Sequence, residues 1–155
     1  MSHFAAEAVV VDAVGAGPPA SDLGRVLGAA AGVPEVAARL PAGAELTVRL
    51  TGDEELRRLN REFLGEDAVT DVLSFPSGSS DGYLGDIAVS WPAVLRQAAG
   101  FGHPVEAEAA LLCVHGLLHL LGWDHASPAE ETEMWRLTRA ALAAGGVAGL
   151  AAGRL

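Results

Sequence analysis

A chain of 155 residues is long enough to bury one sizeable core and reads as a single domain over residues 1–155. Its formal charge of −10, with ten basic residues that are all arginine, argues against a broad basic surface for nucleic acid. A local arginine cluster or a bound cation can still serve such a partner, and the single cysteine, Cys113, excludes an internal disulfide and reads as a small core residue.

In chain order, "EAVVVD" at 7–12 is a β-branched run expected as a strand. The start of the chain has no basic region ahead of its apolar residues, and no apolar run approaches the roughly 18 residues that cross a bilayer. A cytoplasmic protein without a membrane partner is therefore expected. "GAGPPASD" breaks the chain at 15–22, and Ser21 or Asp22 is placed to cap a helix over about 22–31. "GVPEVAARLPAG" at 32–43, interrupted by Pro34 and Pro41, predicts a short helix between loops. "ELTVRLTG" at 45–52 alternates like a half-buried strand.

Asp53 and the two glutamates after it mark a helix start, Gly65 marks its end, and Leu56, Leu59 and Phe63 form its apolar stripe. "VTDVLSFP" at 69–76 predicts a strand ending at Pro76, 77–82 a loop, and "YLGDIAVSW" at 83–91 another strand. Pro92 opens a helix of about 92–100. After "GFGHP", His103 is a candidate cap and Pro104 the first residue of a helix running to about 121. Gly122 ends that helix. Ser127 caps a last helix to about 144, with Pro128 in its first turn. The expected fold is α/β (α+β), a small mixed four-stranded sheet packed with about five helices.

Three of the five histidines lie in "VHGLLHLLGWDH", residues 114–125. His115 and His119, four apart on a helix, share one face about one turn from each other. His125 lies beyond the helix, and Gly122 can take the left-handed conformation that turns the chain back towards them. Three neutral imidazoles on one cation leave a fourth position for water, the arrangement of a catalytic zinc. The bland alternative is a pair of core histidines, each with one hydrogen bond. His3 reads as tail. The spacing H-x3-H-x5-H with glycine at the eighth position coincides with the metzincin peptidase pattern, but Gly116 stands where the peptidase carries its glutamate base. A metal hydrolase of another class, such as a peptidase without its usual base, stays open as an alternative.

Four blocks together carry a family resemblance: "VHGLLHLLGWDH"; "TDVLSFP" at 70–76, with Val69 in place of a preceding proline; "LGDIAVS" at 84–90; and "GHPVEAE" at 102–108. In order and interval they resemble the bacterial endoribonuclease YbeY family over about residues 45–140, with Trp123 where a tyrosine is usual. The resemblance implies one zinc ion per chain on His115, His119 and His125, in a site on a helix and the turn after it. It implies a metal-dependent endoribonuclease specific for single strands, acting in late maturation of the 3′ end of small-subunit (16S) rRNA and in ribosome quality control. Its implied partners are single-stranded RNA, the small ribosomal subunit and ribosome-associated proteins, not DNA. A non-catalytic ribosome assembly factor is the other alternative.

"NREFLGED" departs from the family, because Leu64 occupies the place of an arginine thought important for activity. Arg57 and Arg61 lie seven and three residues earlier, either as replacements or as a solvated helix face. Arg49, Arg57, Arg58 and Arg61 are candidates for a local positive strip, and Phe75, Trp91 and Trp123 for stacking platforms or core. Asp71 and Asp86 are candidate bases or loop caps. Asp124 is a candidate to orient a histidine or cap the turn. The catalytic base is left unassigned.

Overall fold

The computed structural model describes residues 7–12, 20–68, 70–79 and 81–150. Strand β1 (Glu7–Asp12) is followed by α1 (Ala20–Ala30), the single turn α2 (Pro34–Ala37), β2 (Glu45–Thr51) and α3 (Asp53–Leu64). Strands β3 (Val72–Pro76) and β4 (Tyr83–Ser90) come next, then α4 (Trp91–Phe101), α5 (Val105–Leu120) and α6 (Pro128–Ala144). The mixed α/β class is as expected, with six helices among the described residues where about five were expected.

The sheet runs β1-β2-β4-β3, with β1, β2 and β4 parallel and β3 antiparallel to β4. Strands β2, β4 and β3 carry the side chains that shape the sites below. Alternation divides β2 cleanly: Leu46, Val48 and Leu50 are buried on one face, while Thr47 and Arg49 turn to the other. Parallel pairing aligns Val48 with Ile87 and Leu50 with Val89, so both strands present branched apolar side chains to the same layer.

That layer is occupied by α5. Eleven of its sixteen residues are buried, and it is apolar on every side, which is the pattern of a helix enclosed by protein. The sheet lies beneath it and α1, α4 and α6 surround it. The opposite face of the sheet is thinly covered: α3 alone sets Leu56 over Leu73 and Ala88, with Leu59 and Phe75 at the margin.

Several local expectations change. Helix α1 begins at Ala20, so Ser21 and Asp22 lie within its first turn instead of capping it. Strand β3 begins at Val72, and Val69 lies outside the described residues. Trp91 leaves β4 to become the first residue of α4, capped by the Ser90 hydroxyl, which accepts from the Ala93 N–H. Pro104 is the residue before α5, not its first. Cys113 is fully buried as expected, and burial pushes its thiol up to about 12.

A histidine cluster at the end of the core helix

Helix α5 closes in a Schellman arrangement. The Trp123 N–H reaches the Leu118 carbonyl and the Gly122 N–H the His119 carbonyl, both at 3.0 Å. Gly122 has φ 97°, which a side chain would oppose. Asp124 then accepts the N–H of His125 at 2.8 Å, the turn-capping role among its two candidates.

The reversal brings His125 back to the helix end. Its ring centroid stands 5.2 Å from that of His119, with the planes at 75°. His115, one turn back, lies edge-on to Trp135 of α6, with centroids 4.6 Å apart. A cavity of about 170 Å³ is bounded by His115, His125, Glu131, Met134 and Trp135. So His125 neighbours each of the other two, through ring contact on one side and a shared cavity on the other. Among the described residues, no three His, Cys, Asp or Glu side chains gather closely enough to hold a metal ion.

The donor chemistry nonetheless fits zinc. Burial, and then the neighbouring His125, hold the His119 pKa below the usual imidazole value, so its ring keeps a lone pair to offer at neutral pH. His115, His119 and His125 are the residues that could hold such an ion.

The same helix explains why glycine replaces the peptidase glutamate. A Cβ on Gly116 would stand 2.5 Å from Cγ2 of Ile87, itself fully buried in β4. The Gly116 carbonyl also accepts the Ser74 hydroxyl of β3 at 2.9 Å. Position 116 faces the sheet, not the histidines, and a glutamate there would enter the core.

The thin face of the sheet holds a larger cavity, about 610 Å³, whose walls include Arg49, Phe63, Leu64, Phe75 and Asp86. Leu64 puts an apolar side chain in that wall. Phe63, expected in the buried stripe, is 64% exposed and meets Phe75 edge-on at 5.4 Å. Phe75 is half-buried in the wall of that cavity, whereas Trp91 is core. The Asp86 carboxylate accepts the Tyr83 hydroxyl, and the Asp71 carbonyl accepts the Ser90 N–H at 2.8 Å. The arginine strip is largely neutralised: Arg57 and Arg61 face Asp67, and Arg58 sits between Glu55 and Glu62. Arg49 alone of the four has no such partner among the described residues.

His103 is no helix cap. Its side chain is fully buried, with Nε2 2.7 Å from Oε1 of Glu108, while Gln97 donates to Oε2 of the same carboxylate at 2.7 Å. Reading the sequence also missed Glu131 and Trp135 beside the histidines. Their signal was present, because positions 131, 134 and 135 share one face of α6.

A small α/β protein with imidazoles on a core helix and on the turn that closes it is the class this geometry defines. Residues 23–146 match the family described as Endoribonuclease YbeY, and the chain belongs to that family. It is 57% identical over 105 residues to the endoribonuclease YbeY of Gloeobacter violaceus, a match covering 61% of this chain and 52% of that protein. With that of Chloroflexus aurantiacus it shares 50% over 109 residues, 63% of this chain and 71% of the other. The chain thus spans about half the length of the first of these relatives. Among solved structures, the solution structure of TM1509 from Thermotoga maritima is similar with a TM-score of 0.57 and 27% identity, covering 88% of this chain and 89% of that one.

Proposed function

We propose that this chain is a zinc-dependent endoribonuclease that cuts single-stranded RNA during maturation of the 3′ end of small-subunit rRNA. The supporting observation is the closure of α5, which sets His125 against His119 and on one cavity with His115 in a chain of the YbeY family. In this reading His115, His119 and His125 hold one zinc ion, which when bound lowers the pKa of water towards neutrality and polarises a phosphoryl oxygen.

The remaining work falls to the chain's own groups. Glu131, on the wall shared with His115 and His125, is the carboxylate positioned to hold a proton, in place of the glutamate that Gly116 forbids. Trp135 packs against His115 and limits its rotation. Phe63, exposed, and Phe75, half-buried beside it, form an aromatic pair for unstacked bases, a mode open only to single strands. The partners proposed are single-stranded RNA, the small ribosomal subunit and ribosome-associated proteins in the cytoplasm. No helix among the described residues is long and apolar enough to cross a membrane. Peptide hydrolysis is disfavoured by the packing at Gly116.

The test pairs metal analysis with cleavage. Zinc-loaded protein is expected to cut an unstructured RNA, to stop when chelated, and to lose both zinc and cleavage on His115→Ala. If nuclease-free holoprotein leaves RNA intact while chelated protein supports ribosome maturation equally well, the assembly-factor reading replaces this one.

A further inference from the structure

We infer that Arg39, in the loop after α2, holds a backbone phosphate of the RNA next to the histidine cluster; this rests on the nuclease reading above. In a chain of charge −10, a polyanion needs a cation that the protein has not already neutralised. Most arginines fail that requirement. Arg57, Arg58, Arg61, Arg96 and Arg136 are all paired with carboxylates, and Arg25 lines a separate cavity whose wall also carries Asp22 and Glu106. Arg49 lines the cavity on the thin face with Glu55 and Asp86 in the same wall.

Arg39 is held differently. Its guanidinium carbon lies 3.6 Å from the ring centroid of Trp123, in a cation–π stack. Nη1 donates to the Leu121 carbonyl at 3.2 Å. Neither contact supplies a negative charge, and the stack fixes the plane of a group that presents five donors. Glu133 feels the charge of Arg39 but makes its own ion pair with Arg136. So the cation is oriented and makes no ion pair of its own among the described residues.

Its position is specific. Leu121 and Trp123 belong to the segment joining His119 to His125, so Arg39 is fastened to the turn that carries the cluster. It faces a cavity of about 310 Å³, walled also by Ser77, Ser79, Tyr83 and Leu121. The carboxylate nearest in the 77–82 loop, Asp81, is turned onto the Ser79 hydroxyl and the Tyr83 N–H. Pro76 belongs both to this cavity and to the larger one carrying Phe63 and Phe75. A strand stacked on the aromatic pair can therefore continue over Pro76 and set its next phosphates against Arg39. Arg39 acts as a positioning residue: it binds the chain flanking the cut and takes no part in bond breaking. It would supply the cation that Leu64 does not.

The zinc-loaded protein is compared with Arg39→Gln, Arg39→Lys and, as control, Arg57→Gln, whose parent guanidinium is already committed to Asp67. Binding of a labelled 2′-O-methyl single strand is read by anisotropy across a salt series, and RNA cleavage, zinc content and melting temperature are measured in parallel. Arg39→Gln is expected to weaken binding about tenfold and to reduce the slope of log affinity against log salt by about 0.7, the loss of one single-strand phosphate contact. Arg39→Lys should restore the slope while regaining only part of the affinity, and Arg57→Gln should change neither. If Arg39→Gln keeps the parent slope and affinity while the parent cuts RNA, the inference is wrong and the nuclease reading stands. A fall in zinc content or melting temperature with an unchanged salt slope reduces Arg39 to a brace for the turn and also overturns it. If the parent protein neither binds nor cuts RNA, the nuclease reading fails and this inference goes with it.

Discussion

The two ends of α5 use the same residue type for opposite purposes. At the N-terminal end, His103 is sealed in the core against Glu108, which is also held by Gln97, and its hydrogen bonding is met within the protein. At the C-terminal end, His115, His119 and His125 meet other rings and the walls of a cavity reaching the surface. Burial makes the difference. An imidazole enclosed beside a carboxylate is a structural fastener, because separating the pair would strand a polar group in apolar surroundings. At the other end no carboxylate among the described residues is sealed against a ring in this way, and His125 on the turn borders a cavity together with His115.

The contrast breaks most visibly at the buried end. Glu108→Ala removes the shared partner of His103 and Gln97, and is expected to cost about 3–5 kcal/mol in urea unfolding. The folded fraction should keep its zinc stoichiometry, since the fastener lies at the far end of α5. A variant of parent stability would show that the pair contributes no net fastening. At the open end the expectation reverses. His119→Ala should change the stability of metal-free protein by no more than about 1 kcal/mol, the half-buried ring leaving little cavity, and should abolish zinc retention in equilibrium dialysis. Full zinc retention by that variant would remove His119 from the ligand set.

The smallest effect lies between the ends. Burial pushes the Cys113 thiol up to about 12, so at pH 8 the folded protein holds almost no thiolate there. A thiol-reactive dye should label Cys113 only after denaturant is added. Rapid labelling of native protein would mean that the middle of α5 opens to solvent, and that the two ends are less separate than the packing implies.

Much of this was legible along the chain. The strand at 45–51 announced itself by alternation, because a sheet with one buried face demands a period of two. The helix ends at Gly65 and Gly122 were visible because a left-handed residue without a Cβ relieves the strain of closing a helix. The i, i+4 spacing of His115 and His119 puts them on one face by helical geometry alone. Other features were not legible. His103 beside a proline reads as a cap, and only the approach of α4 to α5 shows it buried with Gln97 and Glu108. Arg57 and Arg61 read as free cations until the chain after α3 returns Asp67 to them. Phe63 lies on the predicted apolar stripe, yet α3 covers so little of the sheet that the ring stays in solvent.

The sequence by itself determined the elements, the turn after α5 and the family, since these depend on backbone preferences, periodicity and motifs confined to short stretches. Tertiary structure decided which imidazole is sealed beside a carboxylate and which gather at the end of α5, why no side chain fits at Gly116, and which arginines pair with carboxylates. Those outcomes depend on residues far apart in sequence meeting in space, as Gly116 meets Ile87 and Arg39 meets Trp123. No local pattern encodes the neighbour that a side chain will have once helices and sheet are packed.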